Sequence, residues 1–145
     1  MGGFVSVKCR NRECKYHVML RVGVGVHALR EIDAMEQRIL NGEVEASEKL
    51  KSLLQLGEHL EANAVYLCPE CREFVTDDSY FVFEPIHVSP YGSVREYKLH
   101  YLDKEPVCKE CGSLLVYLLS PFSSKTPCPK CSSENMISRE KGTFF

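Results

Sequence analysis

Eight cysteines in a chain of 145 residues fall into four close pairs: Cys9/Cys14, Cys68/Cys71, Cys108/Cys111 and Cys128/Cys131. Three pairs have two intervening residues and the first has four. Scattered structural cysteines would not all fall so close together. A C-x2-C pair is also awkward to bridge to itself, so a disulfide framework gives no reason for the spacing. Met1 to Val7 lacks the basic-then-apolar layout of a signal peptide, which implies a reducing, cytoplasmic setting. There the pattern reads as metal binding.

Tetrahedral zinc fits these residues. Four thiolates at about 2.3 Å complete the shell and leave no position for a substrate. Cys68-Pro69-Glu70-Cys71 and Cys128-Pro129-Lys130-Cys131 each place Pro after the first Cys, where its fixed φ pre-sets a turn. Gly112 after Cys111 can take a positive φ as the chain leaves its turn. Apolar residues follow every pair: Val18-Met19-Leu20, Phe74-Val75, Leu114-Leu115-Val116 and Met136-Ile137. At all four pairs the chain resembles the zinc-ribbon and zinc-knuckle superfamily in the broad sense. That resemblance implies metal-stapled β-hairpins and no particular activity.

Cys108-x2-Cys111 and Cys128-x2-Cys131 are separated by 16 residues, within the range of a C-x2-C … C-x2-C zinc site. The expected grouping is therefore sequential. Cys108, Cys111, Cys128 and Cys131 would hold one Zn2+, and Cys9, Cys14, Cys68 and Cys71 a second, giving two ions per chain. The rival is a cross-braced arrangement that groups the first pair with the third and the second with the fourth. His17 lies close enough to Cys14 to replace Cys9, but Cys9 already completes a set of four.

The 53 residues between Cys14 and Cys68 need structure of their own. Residues 4–8 and 16–24 read as short strands around the first knuckle. Leu29, Ile32, Met35, Ile39 and Leu40 recur at helical steps, Asn41-Gly42 interrupts them, and Leu50, Leu53, Leu54, Leu56 and Leu60 resume them. This predicts a helical hairpin at about 27–63. Residues 79–88 and 94–102 read as a long β-hairpin forming a sheet shared by both metal sites. Residues 120–127 read as a loop, and Gly142 to Phe145 as a tail. The expected fold class is α+β: two zinc-ribbon-like β units with the helical hairpin inserted in the first. Residues 1–78 would form one domain and 79–145 the other.

Hydrophobic residues make up 44% and charged residues 26%, a soluble globular composition. No apolar run approaches the ~18 residues that span a membrane. The formal net charge of −2 argues against a polybasic nucleic-acid binder. Charge is uneven, however. Residues 1–26 carry Lys8, Arg10, Arg12, Lys15 and Arg21 against Glu13 alone. These cations can neutralise a zinc–thiolate centre or hold phosphate.

Every cysteine fills a ligand slot, and the sequence contains no Gly-rich phosphate loop, HExxH or Gly-x-Ser-x-Gly elbow. The expectation is therefore not an enzyme. It is a zinc-binding interaction or adaptor protein that engages a protein partner, or a second copy of itself, through the helical hairpin. One alternative is nucleic-acid binding at Lys8, Arg10, Arg12, Lys15 and Arg21. Another is a rubredoxin-like iron protein, because four thiolates accept iron as well as zinc.

Overall fold

A computed structural model of the chain describes residues 2–23, 25–119, 126–134 and 136–144. Most of the expected loop at 120–127 lies outside the described residues, as does Phe145. Two compact units emerge. The first gathers residues 1–27, 63–78 and 105–145, and the second gathers 28–62 and 79–104. Neither follows the expected division at residue 78.

The first unit is built from two three-stranded antiparallel sheets with the same plan. In one, β1 (Gly2–Cys9) turns through the first knuckle into β2 (His17–Val22). In the other, β4 (Ala64–Cys68) turns through the second knuckle into β5 (Glu73–Asp77). Each hairpin then receives a third strand that follows another knuckle. β8 (Val116–Tyr117), downstream of Cys111, lies against β4, with Tyr66 opposite Tyr117. β9 (Met136–Phe144), downstream of Cys131, runs along all of β1, from Cys9 opposite Met136 to Gly2 opposite Phe144. The sheet orders are β2-β1-β9 and β5-β4-β8. The expected tail at 142–145 is thus the end of a strand as far as Phe144.

Alternation on β1 sets the core. Val5, Val7 and Cys9 point inward, while Phe4, Ser6 and Lys8 occupy the opposite face. Val7, Cys9, Tyr16 and Leu20 pack with Val65 and Phe74 of the other sheet and with Cys128. The Tyr16 and Phe74 rings meet edge to face, 6.1 Å between centroids, a geometry that adds to simple area burial.

The second unit holds α1 (Val26–Leu40, beginning just before the boundary), α2 (Glu48–Gln55) and the sheet β3-β6-β7. β3 is Leu60–Glu61, β6 is Phe81–Val88 and β7 is Val94–Tyr101. α1 ends at Gly42, φ +80°. Gly42 N–H bonds the Ile39 carbonyl and Glu43 N–H bonds the Arg38 carbonyl, the paired bonds of a Schellman end. Ser47 opens α2 by accepting from Leu50 N–H at 3.2 Å. Leu50, Leu53 and Leu54 of α2 are buried, and the helix packs on β6 and β7. Aromatic pairs line the hairpin: Phe81 with Tyr101, and Phe83 stacked on Tyr97 at 5.3 Å.

The expected α+β class is corrected. The described residues hold nine strands in three small antiparallel sheets and only two short helices, so the protein is mostly β. The leucine run after Gly42 yields one eight-residue helix, because the chain turns at Gly57, φ +100°, and Leu60 joins a sheet. The hairpin of β6 and β7 is not a sheet shared by the metal sites. Its edge partner is β3, and it belongs to the second unit.

Candidate metal centres

The cysteines converge as two groups of four, Cys9/Cys14/Cys128/Cys131 and Cys68/Cys71/Cys108/Cys111. The grouping is nested: first pair with fourth, second with third. Neither the sequential nor the cross-braced expectation holds. Strand pairing is the cause. β9 needs a partner, and the free edge of β1 provides one along its whole length, which carries the last knuckle to the turn holding Cys9 and Cys14. A permissible 16-residue spacing bounds a loop but does not choose the partner.

Within each group all four sulfurs lie within 4.8 Å of one another. The separations are 3.7 Å for Cys9–Cys131, 3.6 Å for Cys14–Cys128, 3.5 Å for Cys68–Cys111 and 3.8 Å for Cys71–Cys108. Four thiolates each about 2.3 Å from a tetrahedral zinc ion sit about 3.8 Å apart. A disulfide needs about 2.05 Å, and all eight cysteines are free. Both groups therefore have the geometry and donor set to hold one metal ion. His17 stands outside them; its Nε2 lies 2.7 Å from Ser6 Oγ.

The backbone explains how each knuckle aims two sulfurs at one point. Cys108 N–H bonds the Ser113 carbonyl, and Gly112 N–H returns to the Cys108 carbonyl. Cys128 N–H with Ser133, and Ser132 N–H with Cys128, repeat the pattern. In all four knuckles the residue after the second cysteine is left-handed: Lys15 (φ 55°), Arg72 (56°), Gly112 (76°) and Ser132 (63°). That turn returns the chain toward the first cysteine. Only Gly112 marked it in the sequence, because the other three accept a conformation glycine takes freely.

Knuckles of the two different groups are clasped together. Arg72 donates from Nε to the Pro129 carbonyl at 2.9 Å and from Nη2 to the Lys130 carbonyl. Lys130 Nζ donates to the Cys71 carbonyl at 3.0 Å and pairs with Glu73 at 3.1 Å. Tyr16 O–H donates to Glu73 and accepts from Phe74 N–H. No sequence signal pointed to these contacts, which join residues 57–59 positions apart.

The environments split the thiols. Burial pushes the Cys9 thiol up to about 12, and neighbouring Cys111 and Cys68 push Cys71 up to about 12. The Ser113 hydroxyl and N–H pull Cys111 down to about 6, and the Ser133 N–H pulls Cys131 down to about 7. Each group thus holds one thiol shifted toward the thiolate form that an incoming cation needs. It also keeps at least one thiol whose proton must leave as the ion binds.

Of the expected cationic residues, Lys8 and Arg21 lie on the outer face of the sheet β2-β1-β9, while Arg10, Arg12 and Lys15 occupy the knuckle at its end. β9 adds Arg139 and Lys141 beside them. The chain matches no protein-family model, no curated protein and no solved structure. No helix among the described residues is long and apolar enough to cross a membrane.

Proposed function

We propose that this is a non-catalytic binding protein whose β framework is stapled by two structural zinc ions. The observation that carries the reading is the closure of both thiolate tetrahedra. Each has four protein sulfurs at tetrahedral separations, which leaves no coordination position for a substrate. The sulfurs also sit in the turns at strand ends, so one ion would hold together segments more than 100 residues apart in sequence and the other segments about 40 apart. Such metal binding contributes folding free energy directly.

Zinc is preferred to iron because the knuckles lack the glycine that follows the second cysteine in rubredoxin-like sites, except at Gly112. The protein-partner reading is narrowed. Ile32, Ile39, Leu50, Leu53, Leu54 and Leu60 of the stripe are buried, which leaves Leu29, Leu40 and above all Leu56, 81% exposed, as its open residues.

Native mass spectrometry of protein purified without added metal tests the proposal. Two zinc ions per chain are expected. Iron, or metal-free protein with oxidised cysteines, would overturn it in favour of electron transfer or thiol chemistry.

A further inference from the structure

The outer face of the sheet β2-β1-β9 carries a groove of about 1140 Å³ at its knuckle end. Its lining includes Lys8, Arg10, Arg12, Lys15, Arg139 and Lys141, and no aspartate or glutamate. The register explains the convergence. Lys8 is opposite Ile137 and Ser6 is opposite Arg139, so alternate residues of β1 and β9 share the face away from the core. The irregularity between Phe4 and Val5 gives β9 one extra residue there, and Lys141 is that residue. Arg10, Arg12 and Lys15 extend the positive lining around the turn. All six side chains are exposed, and none pairs with a carboxylate among the described residues.

Neutralising one metal centre does not require this arrangement. Four thiolates on a divalent ion carry a charge of about −2, against six cations. The side chain that reaches a sulfur is neutral Asn11, whose Nδ2 is 3.8 Å from Cys131 Sγ. The rest of the chain is acidic enough to bring the total to −2, so the groove concentrates charge that the whole molecule lacks.

We propose that this groove binds the phosphodiester backbone of a nucleic acid. The reading names the partner class of the binding protein proposed above and rests on it, because the first metal site holds the knuckle that supplies three of the cations. Six cations spread over two strands and a turn suit a row of phosphates better than a single one. The lining contains no phenylalanine, tyrosine or tryptophan, and its one aromatic ring, His17, is tied to Ser6 Oγ at 2.7 Å, so it offers no row of rings on which successive bases could stack. Contacts therefore fall on phosphate, and binding is tolerant of sequence and steeply salt-dependent.

The test uses fluorescence anisotropy of metal-loaded full-length protein. The probes are a mixed-sequence 20-nucleotide RNA single strand and a DNA duplex of the same sequence, each titrated across salt. Binding to either probe supports the proposal, and the stronger one identifies the preferred form. If all six cations engage, log K falls with log salt by up to about 4 for the single strand or about 5 for the duplex. Arg139→Gln/Lys141→Gln removes two cations that lie away from every cysteine. It should weaken binding at least about tenfold at low salt and reduce the slope by about 1.4 to 1.8. Arg30→Gln/Lys51→Gln, which removes the same charge from the second unit, should leave both unchanged.

Metal content is measured on each sample. Loss of binding with two ions still present is then a result about the groove, whereas absence of metal is a failure of the zinc reading. Absence of binding to both probes by the loaded protein would overturn the proposal. So would an equal loss in the control pair. Phe4 and Met19 lie part-exposed on the same face, so anionic phosphatidylserine vesicles form a further arm. Retention by vesicles and by neither nucleic acid would also overturn it.

Discussion

Four left-handed residues decide whether eight sulfurs meet. At Gly112 a Cβ would touch nothing within 4 Å, so replacing it isolates the backbone cost. Gly112→Ala should lower unfolding free energy by about 1 kcal/mol in urea titrations of the zinc-loaded protein. Ser132→Gly should move stability the other way by less than about 1 kcal/mol, since relief of strain is partly offset by the greater freedom of unfolded glycine. Arg72 belongs to this scale too. Its two bonds to the Pro129 and Lys130 carbonyls are partly exposed to solvent. Arg72→Ala should cost about 1 kcal/mol and hasten metal loss from both centres in a chelator time course. Ligand identity was legible in the cysteine spacing. The turn residues were not, because arginine, lysine and serine carry no mark of a positive φ.

Strand pairing explains where sequence reasoning stopped. The paired strands around the first knuckle, and the hairpin from 81 to 101, follow from alternation that the sequence displays. β9 does not, because Arg139, Lys141 and Gly142 give it a weak apolar face and its partner lies more than 120 residues away. The helical expectation overran because leucine steps of three and four do not reveal that Gly57 ends the helix. In the second unit, Glu84 of β6 accepts from Lys49 of α2 at 2.9 Å and lies 3.0 Å from His100 of β7. Both partners, Lys49 first, hold its carboxyl below the usual range. A lowered carboxylate adds stability above its unfolded pKa and loses it as pH falls through the folded value. Glu84→Gln should therefore melt below the wild type at pH 7, with the gap closing toward pH 3.

Over the whole chain, the first unit is a ribbon within a ribbon. Its outer sheet takes strands from both ends of the sequence, and its inner sheet takes strands from between them. Composition and spacing announced two four-cysteine centres, but the nesting depends on which sheet edge each late strand finds. Cadmium-113 substitution followed by cadmium–proton correlation NMR reads it directly, because each ion couples to the β-protons of its own ligands. The expected spectrum has two cadmium resonances, one correlated with Cys9, Cys14, Cys128 and Cys131 and the other with Cys68, Cys71, Cys108 and Cys111. A single resonance joining Cys108 and Cys111 with Cys128 and Cys131, or no bound cadmium at all, would contradict the account.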